Sequence, residues 1–254
     1  MLEDLAGRVA LVTGGATGIG GAISRAFGRA RMKVAVHYMA GAEEAERAAG
    51  EIRASGGEAL LLQADIMLTG AAEKLVAETV ARFGRLDVLV NNAGGLVART
   101  SVGELDDAFY DRVMDLNVRS LVHASQAAVV AMRRSGGGSI INVSSISART
   151  GGSPGSSLYS GAKAFVSTFT RSLAREVGPD GIRVNALSPG TIATAFHERH
   201  STPDKLEATR KTIPLGRLGT AQDCAGTALF LASAAMSGYI TGQVIEVNGG
   251  QLMA

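Results

Sequence analysis

Residues 8–20 read Arg8-Val9-Ala10-Leu11-Val12-Thr13-Gly14-Gly15-Ala16-Thr17-Gly18-Ile19-Gly20. A short apolar run suited to a strand leads into a glycine-rich turn, and the turn opens a stretch suited to a helix. Glycine lets the backbone turn tightly and approach a ligand, and the free N–H groups at a helix N-terminus suit a pyrophosphate. The spacing is TGxxxGxG, not GxGxxG. A bare strand-to-helix turn needs no ligand, but its place directly after the first strand favours a nucleotide.

Working outward, the same alternation repeats along the chain. Short β-rich runs at 8–13, 33–37, 59–63, 87–91, 139–143, 182–187 and 243–247 alternate with amphipathic stretches such as 42–55 and 69–83. Thr69 is placed to cap the second of these helices and Gly84 to end it. Strands that are apolar on both faces imply a parallel sheet covered on both sides. The expectation is an α/β fold: a single-domain, Rossmann-type, doubly wound parallel sheet of about seven strands, spanning residues 1–254. The polar, less regular segment 194–212 is expected to form a lid over a site.

Composition excludes several classes. Among 254 residues, 25 Lys+Arg against 23 Asp+Glu leave a net charge of +2, too small a margin for a nucleic-acid footprint. With 46% hydrophobic and 19% charged residues the chain belongs with folded globular proteins. No stretch reaches the ~18 uninterrupted apolar residues of a membrane span; the nearest, 121–132, is broken by His123, Ser125 and Gln126. Cys224 is the only cysteine, and the start carries Glu3 and Asp4 where a signal peptide would be basic, so a cytoplasmic setting is expected.

The second fragment with chemical content is Tyr159-Ser160-Gly161-Ala162-Lys163, on a helix that Ser156 or Ser157 would cap and Gly178-Pro179 would stop. At i and i+4, Tyr159 and Lys163 share one face. Such a pair alone is an ordinary solvated surface, but its companions change its weight. Asn91-Asn92-Ala93-Gly94, Ser144-Ser145 and Ser188-Pro189-Gly190 all fall at strand ends, where open parallel sheets bind ligands.

On these motifs, and on the tail from Ile213-Pro214-Leu215-Gly216-Arg217 to Val247-Asn248-Gly249-Gly250, the chain resembles the short-chain dehydrogenase/reductase family. The resemblance runs over nearly the whole length and lies closest to 3-oxoacyl-(acyl-carrier-protein) reductases. It implies an NAD(P)(H)-dependent enzyme that interconverts a carbonyl and a secondary alcohol. The implied catalytic set is Asn117, Ser145, Tyr159 and Lys163. Tyr159 would exchange a proton with the substrate oxygen, and the charge of Lys163 would favour its phenolate. Lowering a tyrosine pKa by 2–3 units takes roughly 3–4 kcal/mol. Lys163 would also grip the nicotinamide ribose. Asn117 would hold a water linking Lys163 to solvent, although a helical Asn is otherwise simply an exposed surface residue. Ser145 lies 14 residues before Tyr159, one more than the family commonly shows, which keeps Ser147 as runner-up and Ser144 third.

For the cofactor the resemblance implies the turn at Gly14, Thr17, Gly18, Ile19 and Gly20, then Tyr38, Asp65 and Ile66 toward the adenosine. Asn91 is implied in support of the sheet and the adenosine ribose, with Ala93 and Gly94 beside it. Pro189, Gly190, Ile192 and Thr194 are implied at the nicotinamide or pyrophosphate. After the second strand the chain reads His37-Tyr38-Met39-Ala40, with no acid before Glu43 and no base before Gly41. A carboxylate there would repel a 2′-phosphate, so its absence favours NADP(H) over NAD(H) by a narrow margin.

Other partners implied are a small carbonyl or alcohol substrate, an acyl carrier protein, and further copies of the chain in a homotetramer; neither nucleic acid nor membrane is expected. A carrier would need basic surface such as Arg133 and Arg134, whereas the nearby turn offers Asp180. Sugar, polyol or other small-alcohol dehydrogenases stay open, as does a catalytically silent nucleotide-binding regulator. Gly151-Gly152-Ser153-Pro154-Gly155 matches a GxSxG nucleophile elbow, but Pro154 lacks the N–H that an oxyanion hole would take from it. His197 and His200, with Glu198 and Asp204, fit a solvated lid better than a metal site, so no metal is expected.

Overall fold

The computed structural model describes residues 2–194 and 202–253. Seven strands form one parallel sheet: β1 (Val9–Val12), β2 (Lys33–Tyr38), β3 (Glu58–Gln63), β4 (Val88–Asn91), β5 (Gly138–Val143), β6 (Ile182–Pro189) and β9 (Val244–Val247). Their order is β3-β2-β1-β4-β5-β6-β9. Every strand expected from the sequence is present, with ends moved by one or two residues. Two further strands, β7 (Ile192–Ala193) and β8 (Gly219–Thr220), pair only with each other.

Side chains alternate across the strands and feed two cores. Ala10, Val12 and Val36 pack with Phe27 of α1 (Gly18–Arg29), Ile52 of α2 (Ala42–Ala54) and Leu231 of α9 (Ala221–Ala232). Val9, Leu11, Leu89 and Ile140 pack on the other face with Leu75 of α3 (Ala71–Phe83), Met132 of α5 (Ser120–Ser135) and Leu173 of α7 (Ser157–Val177). Helices therefore cover both faces of the sheet, which is why the strand interiors are mostly apolar. No helix among the described residues is long and apolar enough to cross a membrane.

Two helix starts differ from the expectation. Helix α3 begins after Gly70, whose left-handed φ of 81° provides the N-cap, and not at Thr69; Gly84, at φ 82°, ends it as expected. Ser156 does sit at the N-cap of α7, but its hydroxyl donates to the Ser153 carbonyl at 2.6 Å instead of accepting from the helix.

The order places β2 on one side of β1 and β4 on the other, so successive crossovers run in opposite directions from this point. Loops leaving β1 and β4 diverge there and open a crevice at the carboxyl ends of the strands. The helix over the second half carries one irregularity. Between α4 (Asp107–Met114) and α5, residues Asp115–Arg119 form a single π-helical turn.

Candidate active site

An open cleft of about 960 Å³ crosses the carboxyl ends of the strands, from the glycine turn to Thr194. At one end the turn after β1 is held from below. Thr13 Oγ1 donates to the Val90 carbonyl and accepts from the amides of Asn92 and Ala93, each at 3.0 Å. Asn92 Nδ2 donates to the carbonyls of Thr13 (2.8 Å) and Gly14 (3.0 Å). Gly14 and Gly18 adopt left-handed φ of 60° and 55°, which the sequence supplies at no steric cost. Thr17 occupies the N-cap of α1 without a side-chain cap bond, so the amides of the first turn are not spent on it. Gly14, Thr17, Gly18 and Ile19 line the cleft, and this glycine cradle at a helix N-terminus fits the pyrophosphate of a dinucleotide. Gly20 does not line the cleft. A Cβ there would run into Gly14 O and Asn92 Nδ2, so this glycine seats α1 on the turn.

Tyr38, Asp65 and Ile66 line the same end. Asp65 Oδ1 also accepts from the Met67 amide at 3.0 Å, capping its own turn. Asn91 meets the sheet half of the expectation but does not line the cleft. Its side chain is buried between strand and helix, donating to Ser125 Oγ (3.0 Å) and Asn142 Oδ1 (2.9 Å). It supports the sheet, while its neighbour Asn92 faces the cleft. Successive residues at a strand end point to opposite faces, so a one-residue difference decides which asparagine reaches a ligand.

Beyond the glycine turn, Ser145, Tyr159 and Lys163 converge on the cleft from the end of β5 and from α7. The Ser145 hydroxyl hydrogen-bonds the Tyr159 phenol. It also donates to Ser147 Oγ (3.2 Å) and accepts from the Ser147 amide (3.1 Å). Ser144 is turned away, its hydroxyl donating to the Lys163 carbonyl at 3.0 Å and sharing a bond with Ser167. Of the three serines, Ser145 is the one joined to Tyr159.

Lys163 is 4% exposed. Its ammonium donates to the Val143 carbonyl at 2.9 Å and lies 5.8 Å from the centre of the Tyr159 ring. Burial lowers the Lys163 pKa to about 8. Burial pushes the Tyr159 phenol up, and the group that opposes the rise is Ser145. In this arrangement desolvation, which disfavours the phenolate, outweighs the depression expected from Lys163.

Asn117, in the π turn, is 1% exposed and is not a surface residue. Its Nδ2 donates to the carbonyls of Val113 and Gly95, both at 2.9 Å, and its Oδ1 accepts from the Gly95 amide at 3.0 Å. It is absent from the cleft lining but converges with Lys163 on Gly94. A Cβ on Gly94 would sit 2.8 Å from Asn117 Oδ1 and 3.0 Å from Lys163 Nζ.

At the far end Pro189, Gly190, Ile192 and Thr194 line the cleft, with Ala93 and Gly94 opposite them. The segment expected as a lid is described from Thr202 onward, where α8 (Pro203–Thr212) buries none of its residues and faces the cleft with Lys205, Leu206 and Thr209. His197, Glu198 and His200 lie outside the described residues. Ser153 sits in a bend between α6 (Ser147–Thr150) and α7, without the strand-to-helix setting of a nucleophile elbow. On the surface, Arg133 pairs with Asp180 at 2.8 Å, so part of the basic patch expected for a carrier is already neutralised.

Sequence reasoning missed His37 and Asn92 at the glycine turn, and Arg99 and Lys205 on the cleft walls. For Asn92 the available signal was the doubled asparagine itself. For His37 there was none, because its partners are main-chain atoms distant in sequence. Arg99 and Lys205 carry no sequence signal that separates them from surface cations.

Comparison with known proteins agrees with this geometry. The family described as enoyl-(acyl carrier protein) reductase matches residues 14–251. The chain is similar to a 3-oxoacyl-(acyl-carrier-protein) reductase of Synechocystis, with 38% identity over 99% of this chain and 100% of that one. A 3-oxoacyl-(acyl-carrier-protein) reductase of Staphylococcus aureus is 40% identical over 96% and 98% of the two chains. Among solved structures, an NADH-dependent reductase responsible for alginate metabolism, in complex with NAD, is 38% identical and superposes with a TM-score of 0.89 over the full length of both chains. A short-chain type dehydrogenase/reductase from Mycobacterium marinum superposes with a TM-score of 0.92 at 35% identity, over 100% of this chain and 98% of that one.

Proposed function

The chain belongs to the short-chain dehydrogenase/reductase family, and from that premise we propose a carbonyl reductase whose proton donor is Tyr159. That it is an NAD(P)-dependent oxidoreductase follows from the family. The observation carrying the residue assignment is the convergence of Ser145, Tyr159 and Lys163 in one cleft whose other end is a glycine cradle.

Bound nicotinamide dinucleotide supplies or accepts the hydride. Gly14, Thr17, Gly18 and Ile19 hold its pyrophosphate, with Tyr38, Asp65 and Ile66 beside the adenosine. Pro189, Gly190, Ile192 and Thr194 hold the carboxamide end. Lys163 binds the nicotinamide ribose with the donors not engaged by Val143. Ser145 orients the substrate oxygen against Tyr159, and Tyr159 gives that oxygen a proton in reduction and takes it back in oxidation. Raised by burial, the phenol is protonated at neutral pH, the form that donates. Asn117 fixes the loop at Gly95 and meets Lys163 beside Gly94, the point at which a water would resupply the proton.

The narrow preference for NADP(H) rests on the absence of a carboxylate along Tyr38, Met39 and Ala40, which line the adenosine end. A 3-oxoacyl thioester is the first substrate class to test, given the names of two relatives. A sugar-derived or other small alcohol is the second, favoured by the alginate-metabolism reductase. The setting proposed is cytoplasmic and the assembly a homotetramer, in which the exposed Phe165 on α7, stacked on the half-buried Phe169, would be covered. Steady-state kinetics with NADPH and NADH against 3-oxoacyl thioesters, sugar ketones and simple ketones tests all of this. Turnover of at least one class is expected; binding of the dinucleotide without turnover of any would leave a nucleotide-binding regulator.

A further inference from the structure

His37, at the end of β2, is 2% exposed and has both ring nitrogens engaged by main chain. Nδ1 lies 3.0 Å from the Gly14 amide nitrogen, which donates to it. Nε2 lies 3.1 Å from the Ala64 carbonyl. The residue's own carbonyl accepts from the Gly15 amide at 2.8 Å. An amide can only donate and a carbonyl only accept, so the partners dictate the protonation: Nδ1 bare, Nε2 carrying hydrogen. The ring is held neutral in one tautomer.

We propose that His37 is a positioning residue for the dinucleotide: its neutral ring ties the glycine turn at Gly14 to the loop that begins Ala64-Asp65, and protonation releases the turn at Gly14 while the bond to Ala64 stays. The proposal rests on the dinucleotide reading above, because those two segments line the pyrophosphate and adenosine parts of the cleft. A proton on Nδ1 would face the Gly14 N–H, two donors at 3.0 Å with no acceptor between them. The turn would have to move, and with it the amides that meet the phosphates.

The surroundings decide where the ring titrates. Burial depresses its basicity below the ordinary histidine value, and the Ala64 carbonyl and the charge of Asp65 oppose that shift. The turn and the ends of β1 and β4 bring only neutral neighbours: Thr13, Gly14, Gly15 and Asn92. The ring is therefore neutral at pH 7 and takes up its proton below about pH 6.5, the unperturbed value.

Calorimetric titration of the full-length chain with NADPH and with NADH, from pH 5 to 8, tests the latch in three proteins. In the parent chain affinity is expected to be flat above pH 7 and to fall toward tenfold per pH unit once the ring protonates. His37→Asn keeps an acceptor for the Gly14 amide but does not titrate, so its affinity should stay within a few-fold of the parent at pH 8 and remain flat to pH 5. His37→Leu, which offers no acceptor, should bind about tenfold more weakly at every pH. A parallel fall in the parent and His37→Asn, or parent-like binding by His37→Leu, would overturn the proposal. Nitrogen NMR of the ring and exchange of the Gly14 amide read the same latch without any ligand. If neither dinucleotide binds but the amide loosens as the ring protonates, the latch stands and the cofactor reading fails. An amide indifferent to the titration overturns the latch.

Discussion

In and directly beneath the floor of the cleft, Thr13, Ser144, Asn117 and Lys163 are each under 5% exposed and each spends a polar atom on the main chain. The α8 helix on the opposite wall buries none of its residues, and its ion pairs, Glu207 with Arg210 and Lys211, stay within the helix. Buried polar groups are costly unless their bonds are made, so the floor can adopt few alternatives, whereas solvated pairs such as those of α8 contribute little to holding a position. The division suggests which part of the protein carries the chemistry and which part chooses the substrate: atoms that exchange hydride and proton need fixed distances, and a wall that admits a side chain does not.

Substitutions can break that division or sharpen it. The largest effect is expected from Tyr159→Phe, which keeps the ring but loses the hydroxyl: a drop of at least ~100-fold in rate, with melting temperature and dinucleotide affinity near the parent's. Near-parent turnover would remove Tyr159 from the chemistry. Next comes Gly94→Ala. Its methyl group would press on Asn117 Oδ1 and Lys163 Nζ, and a displacement of that kind should cost roughly 10–100-fold in kcat/KM. An unaffected rate would show that the floor yields more than its bonding implies.

The pH profile is expected to show a smaller effect. Lys163 loses its charge as pH rises through about 8, so carbonyl reduction should decline above that point, up to tenfold per pH unit. An ordinary exposed lysine would delay the decline to about pH 10.4. The smallest change is expected from Lys205→Ala or Leu206→Ala on α8. These should alter kcat/KM by a few-fold, differently for different substrates, and leave the melting temperature within about 1–2 °C, because exposed substitutions change stability little. A uniform loss across substrates would assign α8 to the catalytic machinery.

The same contrast governs how much could be read in advance. All seven sheet strands were legible, because a sheet covered on both faces draws its strands from short, mainly apolar runs, and even the half-buried edge strand β3 keeps Ala59-Leu60-Leu61-Leu62 at its centre. Tyr159 and Lys163 were legible from their i, i+4 spacing on a cappable helix. The choice between Asn91 and Asn92 was not, since it turns on which of two neighbours points outward at the strand end. His37 had no sequence signal for its role: its partners at Gly14 and Ala64 are 23 and 27 residues away and are main-chain atoms. The paired strands β7 and β8, two residues each, are set by the loops that bring them together.

The π turn between α4 and α5 has a consequence for the helix as a whole. One residue beyond α-helical count rotates everything after it by about 100° about the axis. Upstream of the turn the buried stripe runs through Phe109 and Val113; downstream it resumes at Leu121, Ala124, Ala128 and Met132. The extra residue acts as a phase shift. It lets the two halves of one rod address different neighbours, α7 above and the sheet below, and it leaves Asn117 facing inward at the step. Removing a single residue there would heal the helix into a regular α-helix and turn one half away from its core, so the irregularity is what allows the rod to be continuous.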